Sequence, residues 1–202
     1  MQNSRRLRSD KSVAEILTCP FASEIKKDIL SWAHGQECAV VSGGAQKTRN
    51  YDIPQTHGLK KLFTWMQGNL TEISNSLSWD SGSLYNLPEQ NGKRNFKIDQ
   101  HWLLSYPLGS WVEPHNHFPH ALSFGYYVNV PEKSSPIVID YHKVEVKEGQ
   151  LVVFMSYKTH WVPPTPVPNR ILIAGDIVYL SRFMDKISKP KKFTLESKGF
   201  SL

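Results

Sequence analysis

The chain has 202 residues, 40% of them hydrophobic and 21% charged, so it can bury a sizeable core, and this composition excludes a disordered chain. Its formal net charge of +6 leaves nucleic acid, an anionic small molecule or simple solubility open as explanations. Two cysteines, Cys19 and Cys38, are too few for a disulfide framework, and no apolar run approaches the length of a membrane span. We therefore expect one domain over residues 1–202, cytoplasmic and without a membrane partner.

Residues 1–95 carry helical periodicity and are expected to support the rest of the fold. Over residues 21–34 the apolar side chains share one helical face: Ile25, Ile29, Leu30 and Ala33. A second helix is predicted after Gly58, where apolar residues again recur at helical spacing: Leu59, Leu62, Phe63, Met66, Leu70, Ile73 and Leu77. Residues 79–95, rich in Ser, Asn, Gly and Pro, are predicted to form turns or a hairpin with an exposed loop.

From residue 96 the pattern changes to short β-prone runs separated by glycine and proline. The predicted strands span residues 96–106, 121–130, 137–141, 143–146, 151–156 and 171–180. Helices followed by closely spaced strands favour an α+β fold. In that fold, N-terminal helices buttress a jelly-roll, cupin-like barrel, the double-stranded β-helix, over residues 96–182. Residues 183–202 are rich in lysine and are expected to form a basic tail.

Two histidines separated by one residue, His115 and His117, are the first candidates for metal chemistry. On an extended strand both side chains point to the same face, and neutral imidazole nitrogens bind iron, zinc, copper or nickel. The pair alone is weak evidence in a chain with eight histidines, and we assign five of these to loops or ordinary hydrogen bonding: His34, His57, His101, His120 and His142. His160 follows a predicted strand near the mouth of the barrel and is the natural third ligand.

An arginine, Arg170, starts the strand that follows His160. We expect it to cross the turn and lie on the adjacent strand beside the metal, where its planar guanidinium suits bidentate binding of a carboxylate. A dicarboxylate cosubstrate fits this geometry, with one end on the metal and the other on the arginine. The alternative is a surface arginine paired with Asp176 or Glu145.

These residues resemble the iron site of prolyl-hydroxylase-like 2-oxoglutarate oxygenases, through Tyr-Pro-Leu-Gly at 106–109 and Pro-His-Asn-His at 114–117. The chain is also similar to a family of 2-oxoglutarate and iron(II) oxygenases common in marine bacteria and their phages. The further segments that carry this similarity are residues 123–127, 148–154 and 170–175, together with His160. The resemblance covers about residues 102–179, the whole predicted barrel.

The resemblance implies iron(II) bound by His115 and His160, a 2-oxoglutarate carboxylate bound by Arg170, and a supporting polar contact from Tyr106. One departure concerns the third ligand, because most 2-oxoglutarate oxygenases have a carboxylate two residues after the first histidine. This chain has His117 there. Either three histidines hold the iron, which we favour, or a carboxylate such as Asp140 enters from another strand.

The function that the resemblance implies is a 2-oxoglutarate-dependent dioxygenase. Such a hydroxylase uses Fe(II), O2 and 2-oxoglutarate, with ascorbate as a further cofactor, acts on a peptidyl or free amino-acid substrate and releases succinate and CO2. Its catalytic residues would be His115, His117, His160 and Arg170. Six aromatic residues are candidates for lining the substrate pocket: Trp102, Trp111, Tyr126, Tyr127, Phe154 and Trp161.

Two other interpretations of the same residues stay open. A cupin-like three-histidine metal protein, either a direct dioxygenase or a non-catalytic binding module, would not use 2-oxoglutarate and would not need Arg170. A nucleic-acid-binding protein with incidental histidines would explain the basic charge. The sequence has no base-flipping signature and no basic-aromatic stripe, so we expect no nucleic-acid partner.

Overall fold

The computed structural model describes residues 13–48, 56–77 and 96–179. The predicted loop over residues 79–95 and the predicted basic tail over residues 183–202 lie outside these ranges. Within them, no helix is both long enough and apolar enough to cross a bilayer.

Both predicted helices form. Helix α1 spans Ala22–His34 and helix α2 spans His57–Ser76. Helix α2 continues without a break through Gly68. The hydroxyl of Thr56 caps α2 by accepting a hydrogen bond from the backbone N–H of Leu59. The buried faces are those that the periodicity predicts, with Ile25, Ile29 and Ala33 on α1 and Leu59, Leu62, Met66, Leu70 and Ile73 on α2.

Eleven strands are present in the described part of the chain. They are β1 (Glu15–Thr18), β2 (Cys38–Val40), β3 (Gln46–Thr48), β4 (Phe96–Tyr106), β5 (Val112–His115), β6 (Leu122–Asn129), β7 (Ile137–Ile139), β8 (His142–Val144), β9 (Gln150–Met155), β10 (His160–Val162) and β11 (Arg170–Tyr179). They form a seven-stranded sheet in the order β1-β9-β6-β11-β4-β3-β2 and a four-stranded sheet in the order β5-β10-β7-β8. The predicted double-stranded β-helix with supporting helices is confirmed.

The observed strands differ from the predicted ones at one turn and by five additional short strands. Residues 137–141 were expected to be one strand, but β7 ends at Ile139 because Asp140 and Tyr141 both have positive φ, at 44° and 70°. Five short strands were not predicted, namely β1, β2, β3, β5 and β10. Each has only three or four residues, too few for an alternating pattern to show.

The larger sheet is buried on both faces. Alternate residues of β11 point to opposite sides, so Ile171 and Ile173 pack with the two helices, whereas Leu172 and Ala174 pack inside the barrel. Burial on both faces explains why β6, β9 and β11 are almost continuously apolar. The barrel interior between the two sheets is where the candidate site lies.

Candidate metal centre

The structure brings His115, His117 and His160 together at one end of the barrel. His115 is the last residue of β5 and His160 the first of β10, and the two are direct partners in the antiparallel pairing of these strands. Their ring centroids are 4.3 Å apart. The ring of His117, just beyond the end of β5, lies 5.0 Å from that of His115 and 5.1 Å from that of His160. One ligand nitrogen from each ring lies within 4.8 Å of the others.

Each of the three imidazoles has its Nδ1 occupied by an oxygen acceptor. The Nδ1 of His115 donates to the carbonyl oxygen of Glu113 at 2.8 Å, and that of His160 to the carbonyl oxygen of Lys158 at 3.2 Å. The Nδ1 of His117 donates to a carboxylate oxygen of Asp176 at 2.6 Å. A neutral imidazole that donates through Nδ1 leaves the lone pair of Nε2 free for a metal.

The protein environment keeps two of these rings neutral. Burial, together with the neighbouring His115, lowers the pKa of His160 to about 3, because burial disfavours the charged ring and two positive rings would repel each other. Burial also lowers the pKa of His115. Metal binding requires deprotonated nitrogens, so both residues are ready to bind a metal at neutral pH.

Asp176 is a buried carboxylate beside the histidine cluster, with only 1% of its surface exposed. Besides the bond from His117, its oxygens accept hydrogen bonds from the Ser123 hydroxyl and the Gln100 amide, each at 2.9 Å. Burial alone would raise the pKa of this carboxyl, but the hydrogen bonds from His117, Ser123 and Gln100 outweigh it and lower the pKa. Asp176 is therefore ionised. From the sequence, Asp176 was expected only as an alternative partner for Arg170.

Arg170 is fully buried as the first residue of β11. Its Cζ lies 5.0 Å from the ring centre of Tyr106 and 5.1 Å from that of Tyr127, and its Nη2 donates to the Tyr127 hydroxyl at 3.4 Å. Its Nε and Nη1 have no hydrogen-bond partner among the described residues. A buried guanidinium with two unsatisfied donors is costly, so these atoms indicate a binding site for an anion.

The position of Arg170 differs from the prediction in one respect. It was expected on the strand adjacent to that of His160, but β10 belongs to the four-stranded sheet and β11 to the seven-stranded sheet. The guanidinium therefore approaches the cavity from the facing sheet. The alternative ion pair with Asp176 does not form, because that carboxylate is bound by other donors.

Tyr106 and Tyr127 flank the guanidinium as neutral phenols. Burial raises the pKa of Tyr106 to about 12, although the positive charge of Arg170 acts in the opposite direction. Burial likewise raises the pKa of Tyr127. Both hydroxyls therefore keep their protons at neutral pH and can donate to an anion bound beside Arg170.

A cavity of about 340 Å³ joins the histidines to Arg170. This volume suits a small dicarboxylate together with part of a second molecule. Of the six aromatic residues predicted to line it, four do so: Trp102, Tyr127, Phe154 and Trp161. The prediction was wrong for Tyr126, which packs in the helix-side core, and for Trp111, which is 38% exposed.

Of two further charged residues, Lys47 and Asp140, only Lys47 lines the cavity. Lys47 of β3 lines it, with its Nζ 3.8 Å from the ring centre of Trp102, and no sequence signal had singled it out. Asp140, the carboxylate named as an alternative third ligand, instead accepts a hydrogen bond from Lys158 at 2.7 Å. It is not part of the cluster that the three histidines form.

Several proteins of known structure share this fold. No family model matches the chain, and no curated protein matches it. A prolyl-4-hydroxylase from Pseudomonas putida has a similar structure, with 18% identity, a TM-score of 0.59, and coverage of 83% of this chain and 92% of that one. HygX from Streptomyces hygroscopicus, solved with nickel and 2-oxoglutarate bound, shows 9% identity and a TM-score of 0.60 over 84% of both chains.

A third similar structure is the viral collagen prolyl hydroxylase of Paramecium bursaria Chlorella virus-1. It shows 13% identity and a TM-score of 0.57, and the match covers 90% of this chain and 97% of that one. At these identities the likeness establishes the fold alone, which this chain shares with two prolyl hydroxylases and with a protein solved with 2-oxoglutarate bound.

Proposed function

We propose that the protein is a 2-oxoglutarate- and iron(II)-dependent oxygenase. The observation that carries the proposal is the buried guanidinium of Arg170, which shares one cavity with the three-histidine cluster. A metal at one end of a cavity and a carboxylate receptor at the other match the two ends of a 2-oxo dicarboxylate. A metal site alone would not require the arginine.

Each residue has a distinct role in this proposal. The Nε2 atoms of His115, His117 and His160 would hold the iron. The bound iron would supply the redox chemistry, in which O2 oxidises two molecules. One oxygen atom enters succinate as 2-oxoglutarate loses CO2, and the other converts a C–H bond of the substrate to C–OH. Arg170 binds the far carboxylate through its Nε and Nη1, and Tyr106 lies against the same guanidinium.

The substrate that we propose is a peptidyl or free amino acid, hydroxylated at carbon. Two of the structures with this fold are prolyl hydroxylases, which supports an amino-acid substrate. The cavity lining includes Trp102, Trp161 and Lys47, which provide apolar surface and, besides Arg170, one cation for it. Kinship with the marine and phage family, and a need for ascorbate, stay predictions from the sequence.

Three histidine ligands also suit a direct dioxygenase, which binds its substrate on the metal and uses no 2-oxoglutarate. The three-histidine cluster is the observation in favour of this second candidate. The buried, unsatisfied arginine argues against it, because a direct dioxygenase has no second carboxylate to bind there.

The test is an anaerobic titration of the protein with iron(II) and 2-oxoglutarate, followed by oxygen. We expect a visible metal-to-ligand charge-transfer band that appears only when both are present, and then succinate after oxygen is admitted. His160→Ala serves as the matched control and should show neither. Absence of both signals from the wild-type protein would contradict the proposal, and oxygen uptake without 2-oxoglutarate would support the direct dioxygenase.

A further inference from the structure

The three-histidine cluster lacks the carboxylate ligand that most 2-oxoglutarate oxygenases place two residues after the first histidine. We propose that Asp176 supplies this negative charge indirectly, as a positioning residue that acts on the metal through His117. The inference rests on the proposed function in one respect, namely that the three histidines hold a metal.

The contact between the two side chains is short and buried. The Nδ1 of His117 lies 2.6 Å from the Oδ1 of Asp176, slightly shorter than the about 2.7–2.9 Å that is typical of charge-assisted N–H···O hydrogen bonds. The exposed fraction of the Asp176 side chain is 2% and that of His117 is 15%. Water therefore screens this charge weakly, and it acts on the ring more strongly than a surface carboxylate would.

The other two histidines have no such partner. Their Nδ1 atoms donate to the neutral backbone carbonyls of Glu113 and Lys158. His117 is thus the one member of the cluster whose hydrogen-bond acceptor is a carboxylate. A carboxylate at Nδ1 makes the ring a stronger electron donor through Nε2. The residue that occupies the position of the missing ligand is therefore the one that receives the charge.

The sheet holds His117 at two points through one closed network. The Asp176 carboxylate accepts from the Ser123 hydroxyl, and the hydroxyls of Ser123 and Ser156 lie 2.8 Å apart. The carbonyl oxygen of Ser156 accepts the backbone N–H of His117 at 2.8 Å. The backbone and the ring of His117 are both fixed by this network. Gln100 adds a third donor to the Asp176 carboxylate, after His117 and Ser123.

Two substitutions in this network should shift the Fe(III)/Fe(II) potential of a bound iron in opposite directions. Asp176→Asn keeps the shape but removes the negative charge, so the ferric state should lose stability and the Fe(III)/Fe(II) potential should become more positive. Ser123→Ala keeps the charge but removes one donor from the carboxylate. More charge is then available to His117, and the potential should become more negative. General damage to the site would not move the two variants in opposite directions.

The experiment measures cobalt(II) affinity by competition titration and the Fe(III)/Fe(II) midpoint potential of the iron-loaded protein. We expect Asp176→Asn to weaken cobalt binding by about 10- to 100-fold, the usual effect of losing such a partner. Glu24→Gln is the matched control, because it removes one carboxylate of α1 that forms an exposed ion pair with Lys61 of α2. It should change neither quantity.

The inference is overturned if Asp176→Asn binds cobalt within twofold of the wild type with an unchanged potential, or if both network variants shift the potential in the same direction. Should Asp176→Asn fail to fold by circular dichroism, Ser123→Ala decides alone, and an unchanged or more positive potential contradicts the inference. A wild type that binds no cobalt would overturn both this inference and the proposed function. A wild type that binds cobalt but shows no charge-transfer band with iron and 2-oxoglutarate would overturn the function alone.

Discussion

Replacing Arg170 with methionine removes the guanidinium but keeps a long side chain at a fully buried position. Within the described part of the chain, Nε and Nη1 have no hydrogen-bond partner, and Nη2 donates only to the Tyr127 hydroxyl. We expect the far carboxylate of 2-oxoglutarate to bind the two free donors together. Removing one partner of a buried, hydrogen-bonded charge pair costs about 2–5 kcal/mol. The Kd for 2-oxoglutarate should therefore rise about 30-fold to about 4000-fold.

The same substitution should stabilise the ligand-free protein. A buried polar group without a partner costs about 1–3 kcal/mol, and Arg170 has two such nitrogens. Contacts of the guanidinium with the rings of Tyr106 and Tyr127 offset part of this cost, which leaves a net gain of about 1–2 kcal/mol for methionine. In a chain of this size each kcal/mol moves the Tm by about 2–4 °C. Without ligand, the Tm should rise by about 2–8 °C.

Calorimetric titration of 2-oxoglutarate into the cobalt-loaded protein measures the first effect, and thermal unfolding of the metal-free protein measures the second. Lys47→Met is the matched control, because it removes the other cation of the same cavity by the same substitution. It should change the Kd for 2-oxoglutarate much less. The reasoning is refuted if Arg170→Met leaves this Kd within threefold, or weakens cobalt binding as much as 2-oxoglutarate binding.

Four further outcomes follow from the structure. His160→Ala should weaken cobalt binding at least about 100-fold in a competition titration, and unchanged affinity would exclude this residue as a ligand. Burial lowers the pKa of His160 to about 3. The unfolded chain therefore binds a proton below pH 6.5 that the folded chain does not, and metal-free stability should fall from pH 6.5 towards pH 4.5. Urea unfolding should show a smaller fall for His160→Leu, and an equal fall would contradict this cause. Tyr127→Phe removes one hydroxyl contact worth about 1 kcal/mol, so the Kd for 2-oxoglutarate in calorimetry should rise about fivefold. An unchanged Kd would exclude this hydroxyl as a hydrogen-bond donor to 2-oxoglutarate. Gly175→Ala should cost at least about 1–3 kcal/mol in urea unfolding, because an added Cβ would lie 2.3 Å from the carbonyl oxygen of Gln100. Gly68→Ala, in open space on α2, should instead stabilise by about 1 kcal/mol, and equal effects of the two would refute the steric argument.

The long elements of this fold could be predicted because a repeating pattern identifies them. Strand β4 was predicted over the residues that it occupies, Phe96–Tyr106, and both helices were predicted within a few residues. Strands β5 and β10 were missed, since each has only three or four residues. Those two short strands pair His115 directly with His160, so the register that assembles the cluster was not visible in the sequence.

The charged residues around the histidine cluster could also be predicted only in part. Arg170 was identified from its place after His160, but spacing could not show that the intervening proline-rich segment passes from one sheet to the other. Asp176 lies on the same face of β11 as Arg170, because six residues along a strand return a side chain to the same side. That alternation could have indicated Asp176 as an interior carboxylate. Lys47 had no such signal, since β3 has only three residues.

A crystal structure of the protein with zinc(II) and 2-oxoglutarate would test most directly whether one cavity holds both. Zinc is inert to oxygen chemistry and binds histidine nitrogens at about 2.0–2.1 Å. We expect zinc at this distance from the Nε2 atoms of His115, His117 and His160, with the far carboxylate of 2-oxoglutarate on the Nε and Nη1 of Arg170. Zinc bound at Asp140, or a cosubstrate whose far carboxylate does not touch the arginine, would contradict it.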